Sequence, residues 1–479
     1  MKKIILILTI LVSFGAKGQQ DLTLYYMENI PQRTYLNPAF KPKAKFNLGL
    51  PTMSSIYFDH INTTLNPNTL FETSGAVSTL KVGDLKDAIQ DNNYFGINTK
   101  IDLFSLGFKA GKNYFSLNIT ENIFSRLNLS RGFLEIPLYG NADFEYNNGE
   151  IDLTNLGAEA IHYREFGLGW QREIGKKLSV GVKFKFLTGL VNFHTKSSSF
   201  KLKTDPTTFD LTATGEMEIQ TSGLDSNGSL QSGDITNYLF NSGNTGMGWD
   251  FGASYKVTKK LTIDASVIDL GFISWSNGNA NFKSTNANFI YSGLDLTEVL
   301  YAGDAGGDTL DALIKKIQDE AENELNITDN TDKYSTPLLT RIHLGGTYEL
   351  YDSKYSGGKL GVLFQSEIYQ NDFRPSFTLS YNQSLGRWLN ATASYSIVNR
   401  SSNNIGLGVS MNLGPVQFYV VTDNIFAAQM TAFKSDGEIV ALYPSSSKKT
   451  HVHFGLNLTF GTKKKKSIEE EIIEKEIEE

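Results

Sequence analysis

The sequence predicts an all-β chain: a transmembrane antiparallel β-barrel of about 14 strands with long extracellular loops. Three observations predict it. Residues alternate apolar and polar over many runs, tight turns join those runs on one side only, and a targeting segment precedes them. The alternation is plainest in "THVHFGLNLTF". Val452, Phe454, Leu456, Leu458 and Phe460 are apolar, while His451, His453, Gly455, Asn457 and Thr459 are polar or small. Successive strand side chains point to opposite faces, so such a strand has one greasy face and one polar face.

The first element is "MKKIILILTILVSFGAKGQQ". Lys2 and Lys3 precede an apolar run from Ile4 to Phe14 and a small-x-small site at Ala16-Lys17-Gly18. This reads as a signal peptide cleaved between Gly18 and Gln19. At about eleven residues the apolar run is short of the roughly 20 that span a bilayer as a helix. No later run is long enough either. The expected organisation is a signal peptide at 1–18, an N-terminal segment at 19–43, a barrel at 44–461 and a charged tail at 462–479.

The barrel strands come as hairpins. Tight turns are expected at Ala110 to Asn113, Ile174 to Lys177, Val257 to Lys260, Leu385 to Arg387 and Leu413 to Pro415, with a slightly longer one in "YDSKYSGGK". Their Gly, Lys and Asn content suits hairpins. The flanking strands alternate alike: Leu178, Val180, Val182, Phe184 and Phe186 oppose Ser179, Gly181, Lys183 and Lys185. On the other side, stretches near 61–96, 125–160, 191–245, 273–336 and 424–449 are rich in Asn, Ser, Thr, Gly and Asp and read as long loops. One contains a helix-like piece, "DTLDALIKKIQDEAENEL", and "SFKLKTDPTTFDLTATGEMEIQ" reads as an extra hairpin above the barrel. The segment "FSRLNLSRGFLEIPLYG" is a candidate for further strands. Six tight turns, with a first strand in Ala44–His60 and a last at Val452–Phe460, give about fourteen strands with both termini periplasmic.

Size decides which face points inward. The interior of such a barrel is too wide for one layer of side chains to fill. The apolar faces are therefore expected to meet lipid, leaving Lys183, Lys185, Asp250, Asp264, Arg341, His343, Glu367, His451 and His453 in a wet lumen. Trp170, Trp249, Trp275, Trp388 and Tyr348 fall near strand ends, where an interfacial aromatic girdle belongs.

Composition excludes other classes. With no cysteine there is no disulfide framework and no thiolate metal site, and a net charge of -7 has the wrong sign for a nucleic-acid binder. Gly 43, aromatics 12% and only 11 Pro suit an extended antiparallel sheet system. No phosphate-binding or dinucleotide glycine fingerprint and no nucleophile motif is present, so neither enzyme nor cofactor is expected. His451 and His453 share a strand face and Asp225, Asn227 and Asp234 share a loop. Both read as ordinary polar groups rather than metal ligands, the loop because it lacks the acidic last position of a calcium loop. The tail "GTKKKKSIEEEIIEKEIEE" sets Lys463–Lys466 at the membrane boundary and an acidic stretch, Glu469–Glu479, beyond it.

The segment "LYYMENIPQRTYLNPAF" ends in Asn37-Pro38-Ala39-Phe40. It resembles the entry to Bacteroidota outer-membrane barrels of the PorV and PorP/SprF kind, and to related barrels of unknown function. The strand-end signatures "NITENIF", "SVIDLGF" and "VVTDNIF" belong to the same likeness. The hairpin pattern resembles the porin-like long-chain fatty-acid transporter (FadL-like) superfamily. The resemblance implies that Asp21–Lys43 lies in or beneath the lumen as a plug. It also implies a non-enzymatic barrel in outer-membrane lipid that anchors or assists a surface, type IX secretion or gliding machine. A periplasmic protein partner would then dock through the tail. The alternative it implies is passive transport of a small hydrophobic ligand.

Overall fold

A computed structural model describes residues 21–461 except 63–70, 75–76, 81–88, 91, 142–147, 225–242, 292–323, 325–326, 354, 370–371, 399–400, 426–429, 436–437 and 445–448. The signal cleavage site at Gly18 and Gln19, the helix-like piece, the Asp225–Asp234 loop and the tail at 462–479 lie outside the described residues.

Fourteen antiparallel strands close into one barrel. Strand β1 is interrupted, running Phe46–Gly49 and then Ile56–Asn62. There follow β2 (Asn92–Ala110), β3 (Asn113–Ser130), β4 (Gly157–Ile174), β5 (Leu178–Ser198), β6 (Asn244–Lys256) and β7 (Leu261–Trp275). The second half is β8 (Thr340–Asp352), β9 (Ser356–Tyr369), β10 (Asp372–Leu385), β11 (Leu389–Val398), β12 (Ser401–Leu413), β13 (Val416–Thr422) and β14 (Lys449–Phe460). Each pairs with the next, and β14 closes the ring on β1 through Phe46↔Phe460 and Ile56↔Phe454. Closure removes the sheet edges that hydrocarbon would penalise.

The alternation resolves into an inverted protein. Leu168, Leu344, Leu379 and Val420 stand about half exposed on the outer wall. Asn118, Lys185, Asp250, Ser380, Ser410, Gln417 and Asn457 are buried inside. An apolar belt of this extent matches hydrocarbon as its solvent, not water. The outer faces also carry cross-strand aromatic pairs, Phe108 with Phe115 and Phe46 with Phe460, at ring distances of 5.5 and 6.0 Å.

Three sequence expectations are corrected. The supposed long loops are partly strand. β2 begins at Asn92 and β5 reaches Ser198, and Leu211–Ser222 pairs with β5 to extend the wall. The added hairpin is present, Lys201–Thr204 pairing with Leu211–Ser222. The segment after β3 is not strand but a helix, α1 (Arg131–Tyr139). The Ser130 side chain accepts a hydrogen bond from the Phe133 N–H at its start, and Gly140 ends it at a φ of 73°. Trp170, Trp249, Trp388 and Tyr348 are exposed, but Trp275 is not in the girdle. It lies buried at 0% against Leu187, Ile273 and Leu338, and its indole donates to Thr336 Oγ1 at 2.9 Å. Its ring occupies the space over Gly189, where any side chain would collide. Trp275→Ala is expected to cost about 3–5 kcal/mol. This is checked as a lower temperature at which the barrel loses its compact mobility on a gel.

Candidate functional site

The lumen is occupied by the chain's own N-terminal residues. Asp21–Phe40 makes two short 3-10 turns, Leu24–Tyr26 and Pro31–Tyr35, and touches strands around the whole ring. Thr23 Oγ1 meets Ser394 Oγ on β11 at 2.7 Å, and Asn29 Nδ2 donates to Ser410 Oγ on β12 at 2.7 Å. Gln32 and Asn457 on β14 exchange side-chain hydrogen bonds, and the Tyr35 hydroxyl donates to Asp102 on β2 at 2.7 Å. Leu22, Leu24, Met27, Ile30 and Leu36 are all nearly fully buried with Leu363, Val398 and Val421. This is the apolar core, and it sits inside the barrel.

The Asn37-Pro38-Ala39 motif has a physical explanation. Asn37 Oδ1 accepts from the Ala39 N–H at 2.9 Å, closing a local turn, and Asn37 Nδ2 donates to the Ala265 carbonyl at 3.3 Å. Ser179 on β5 donates to the Ala39 carbonyl at 2.8 Å. This turn presses on the wall at Gly181 and Gly252, where an added Cβ would overlap the Pro38 carbonyl and the Asn37 side chain. Gly345 and Gly361 likewise make room for the rings of Tyr25 and Tyr26. Phe40 packs edge-on against Tyr25 and lies 3.6 Å beneath the Arg33 guanidinium.

The segment's first residue is held by an ionic clamp. His451 Nε2 and His453 Nδ1 approach Asp21 Oδ1 at 3.2 and 2.7 Å, and Asp423 accepts the backbone N–H groups of Leu22 and Thr23 at 3.0 and 2.8 Å. Burial alone would raise the Asp21 carboxyl, but His453 and His451 outweigh it and hold the group well below the usual carboxylate range. Glu28 is likewise held low against burial by Lys359 and Lys43.

All nine polar residues singled out from the sequence point inward and are buried, at 7% exposure or less. They face no wet lumen at this level, because Asp21–Phe40 fills it; that expectation is corrected. Lys183 and Lys185 pair with Glu165, and Lys185 also with Asp250 at 2.9 Å and with Asp269. Arg341 pairs with Asp269 as well. Three cations thus meet three carboxylates across β4 to β8. His343 stacks on Tyr25 and its Nδ1 shares a 3.1 Å hydrogen bond with Ser266. Asp264 is buried on the same inner face as Ser266, and Glu367 lies elsewhere, in the wall of a cavity. Lys185→Met is expected to cost about 3–5 kcal/mol, since it leaves buried carboxylates without their counter-ion. A fall in thermal unfolding temperature checks it.

Sequence reasoning missed Asp21, Asp102, Glu165, Asp269 and Asp423. Two of these had a signal, because Asp269 and Asp423 are the acids of "SVIDLGF" and "VVTDNIF". The third such acid, Glu121, behaves differently: it is paired on the outer face with Arg164, and with His162 at 3.0 Å.

Toward the end of the barrel that carries the long connections lies a cavity of about 90 Å³. Ile61, Tyr94, Phe124, Ile161, Tyr163 and Leu338 give it apolar walls. Lys100, Arg126, Arg341, Arg374, Asp59, Asp269 and Glu367 add charge. Arg341 and Asp269 belong to both the cavity and the ion-pair network.

The chain is similar in outline to the toluene transporter TbuX of Ralstonia pickettii, at 10% identity and a TM-score of 0.36 over 94% of this chain and 97% of that one. It is similar to a FadL homologue of Pseudomonas aeruginosa at 10% identity and a TM-score of 0.40, over 91% and 95%. At these values the likeness adds no detail to the barrel. No curated protein matches the chain in sequence. Residues 38–423 match a family of unknown function, DUF5723, and with that match over most of its length the chain belongs to this family.

Proposed function

We propose that this is a non-enzymatic outer-membrane channel for a small compound with an apolar body and an anionic group, closed at rest by Asp21–Phe40 acting as a plug. The observation that carries this reading is the cavity, which places apolar walls beside Lys100, Arg126 and Arg374. Residence in the outer membrane fits the apolar belt. Periplasmic termini fit the barrel's asymmetry, because the tight turns and both described chain ends share one end. The anchoring or accessory role implied by the resemblance is a reading of a different class.

Hexanoate binding to the purified chain, measured by equilibrium dialysis against hexanol, tests the proposal. Saturable binding of hexanoate, abolished by Leu338→Trp, is the expected result. Absence of saturable binding by either compound, in the intact chain and in one lacking residues 21–40, would overturn it and favour anchoring.

A further inference from the structure

The end of the barrel that carries the tight turns is basic along one arc. Lys45 and Lys109 are ladder neighbours, the Lys109 N–H donating to the Lys45 carbonyl at 2.8 Å, and Lys112 follows in the next turn. The β4–β5 turn carries Lys176 and Lys177, and the β6–β7 turn carries Lys259 and Lys260. All seven are exposed. They are contiguous because β1 to β7 pair in order, and the Lys256 N–H bonds to the Lys177 carbonyl at 2.9 Å. The acid Glu173 within the arc is engaged by Lys41 at 2.6 Å. The β12–β13 turn, Gly414 and Pro415, carries no charge.

The arc borders the mouth rather than the lipid. Lys45 and Lys109 occupy the inward register, next to the outward Phe46 and Phe108. Lys109 Nζ donates to the Lys43 carbonyl at 3.1 Å, where the lumen segment leaves the barrel. The arc therefore faces an anionic group beneath the mouth.

The chain itself supplies one. β14 ends beside the arc, where the backbone of Gly461 lies against Lys45. Residues 462–479 follow, and of the last eleven, Glu469–Glu479, seven are Glu and one is Lys. We propose that Glu469–Glu479 docks on this arc. Lys463–Lys466 are repelled by it, so the contact falls to the segment beyond them. Length permits it. Even at a helical rise the stretch from Gly461 to Glu479 spans about 27 Å. A fourteen-strand mouth is about 28 Å wide at a ~4.8 Å strand spacing and a tilt of about 40°.

Zero-length carbodiimide cross-linking of the full chain in neutral detergent, read by mass spectrometry, tests the docking. Glutamates of 469–479 are expected to join the arc lysines within one chain. The links should weaken at 1 M salt, where the screening length is about 3 Å. They should vanish in a K176E/K177E/K259E/K260E variant, whose changes lie at exposed turn tips and leave the barrel's heat-resistant gel mobility intact. Four results would overturn the proposal. Links could be confined to Lys463–Lys466, or could form between chains in an isotope-mixed sample. They could persist in the charge-reversed variant. Finally, the arc lysines could be shielded from acetylation by phosphatidylglycerol vesicles but not by the tail, which would assign the arc to lipid.

Discussion

A chain carrying Gly181→Val and Gly252→Val is expected to close as a barrel and yet hold its N-terminal residues outside the lumen. Both glycines face inward, and both are where the Asn37-Pro38-Ala39 turn meets the wall with backbone or short side chains. The overlap at Gly181 is with the Pro38 carbonyl, a backbone group with no rotamer to escape into. At Gly252 the Ala39 N–H nitrogen would also lie only 2.9 Å from the new Cβ. Overpacking of this kind costs about 1–3 kcal/mol per site, which shifts a docked-to-undocked ratio by roughly 5–150-fold. Hydrogen exchange over residues 21–40 should rise accordingly, and the conductance of the reconstituted barrel should rise with it. Gly96→Ala is the control. Its Cβ would sit 3.5 Å from the Ser125 carbonyl, an ordinary contact, and should change neither readout.

Asp21→Asn is expected to release the same segment from its first residue onward. The amide keeps the shape but removes the charge that His451 and His453 both approach. Breaking one side of a buried ionic cluster costs about 3–5 kcal/mol. The pH dependence has a definite sign. Asp21 is held below its unfolded value, so its contribution is complete above the ordinary Asp pKa of about 3.9 and is lost as pH falls through the lower folded value. Exchange protection of residues 21–40 should therefore hold from neutral pH down to the usual carboxylate range and fail only below it. A loss of protection already at mildly acidic pH would contradict the clamp.

The wall was legible because it obeys a period of two that a single strand displays by itself. Leu178 to Phe186 show it, and so does the run from His451 to Phe460. The turns were legible for a similar reason, since residues such as Gly111 and Gly175 sit at positive φ where glycine is favoured. The interior was not. Asp21 meets His453 across 432 positions and Gln32 meets Asn457 across 425, and no local pattern encodes such pairs. The inward charges were visible, but their burial depended on a segment whose contacts are all of this kind. Trp275 misled because an aromatic near a strand end looks the same whether it turns to the interface or inward onto a glycine such as Gly189. The helix after Ser130 was hidden among Phe, Leu and Ile residues that suit a strand equally well.

Occupation of the lumen by residues 21–40 is the claim on which the channel reading rests, and one disulfide tests it. The chain has no cysteine, so Thr23→Cys with Ser394→Cys introduces a single pair, replacing hydroxyls that lie 2.7 Å apart. Near-complete oxidation of that pair in intact membranes, seen as a reducible shift in gel mobility, is the expected result. A folded barrel in which both thiols stay free would contradict the account.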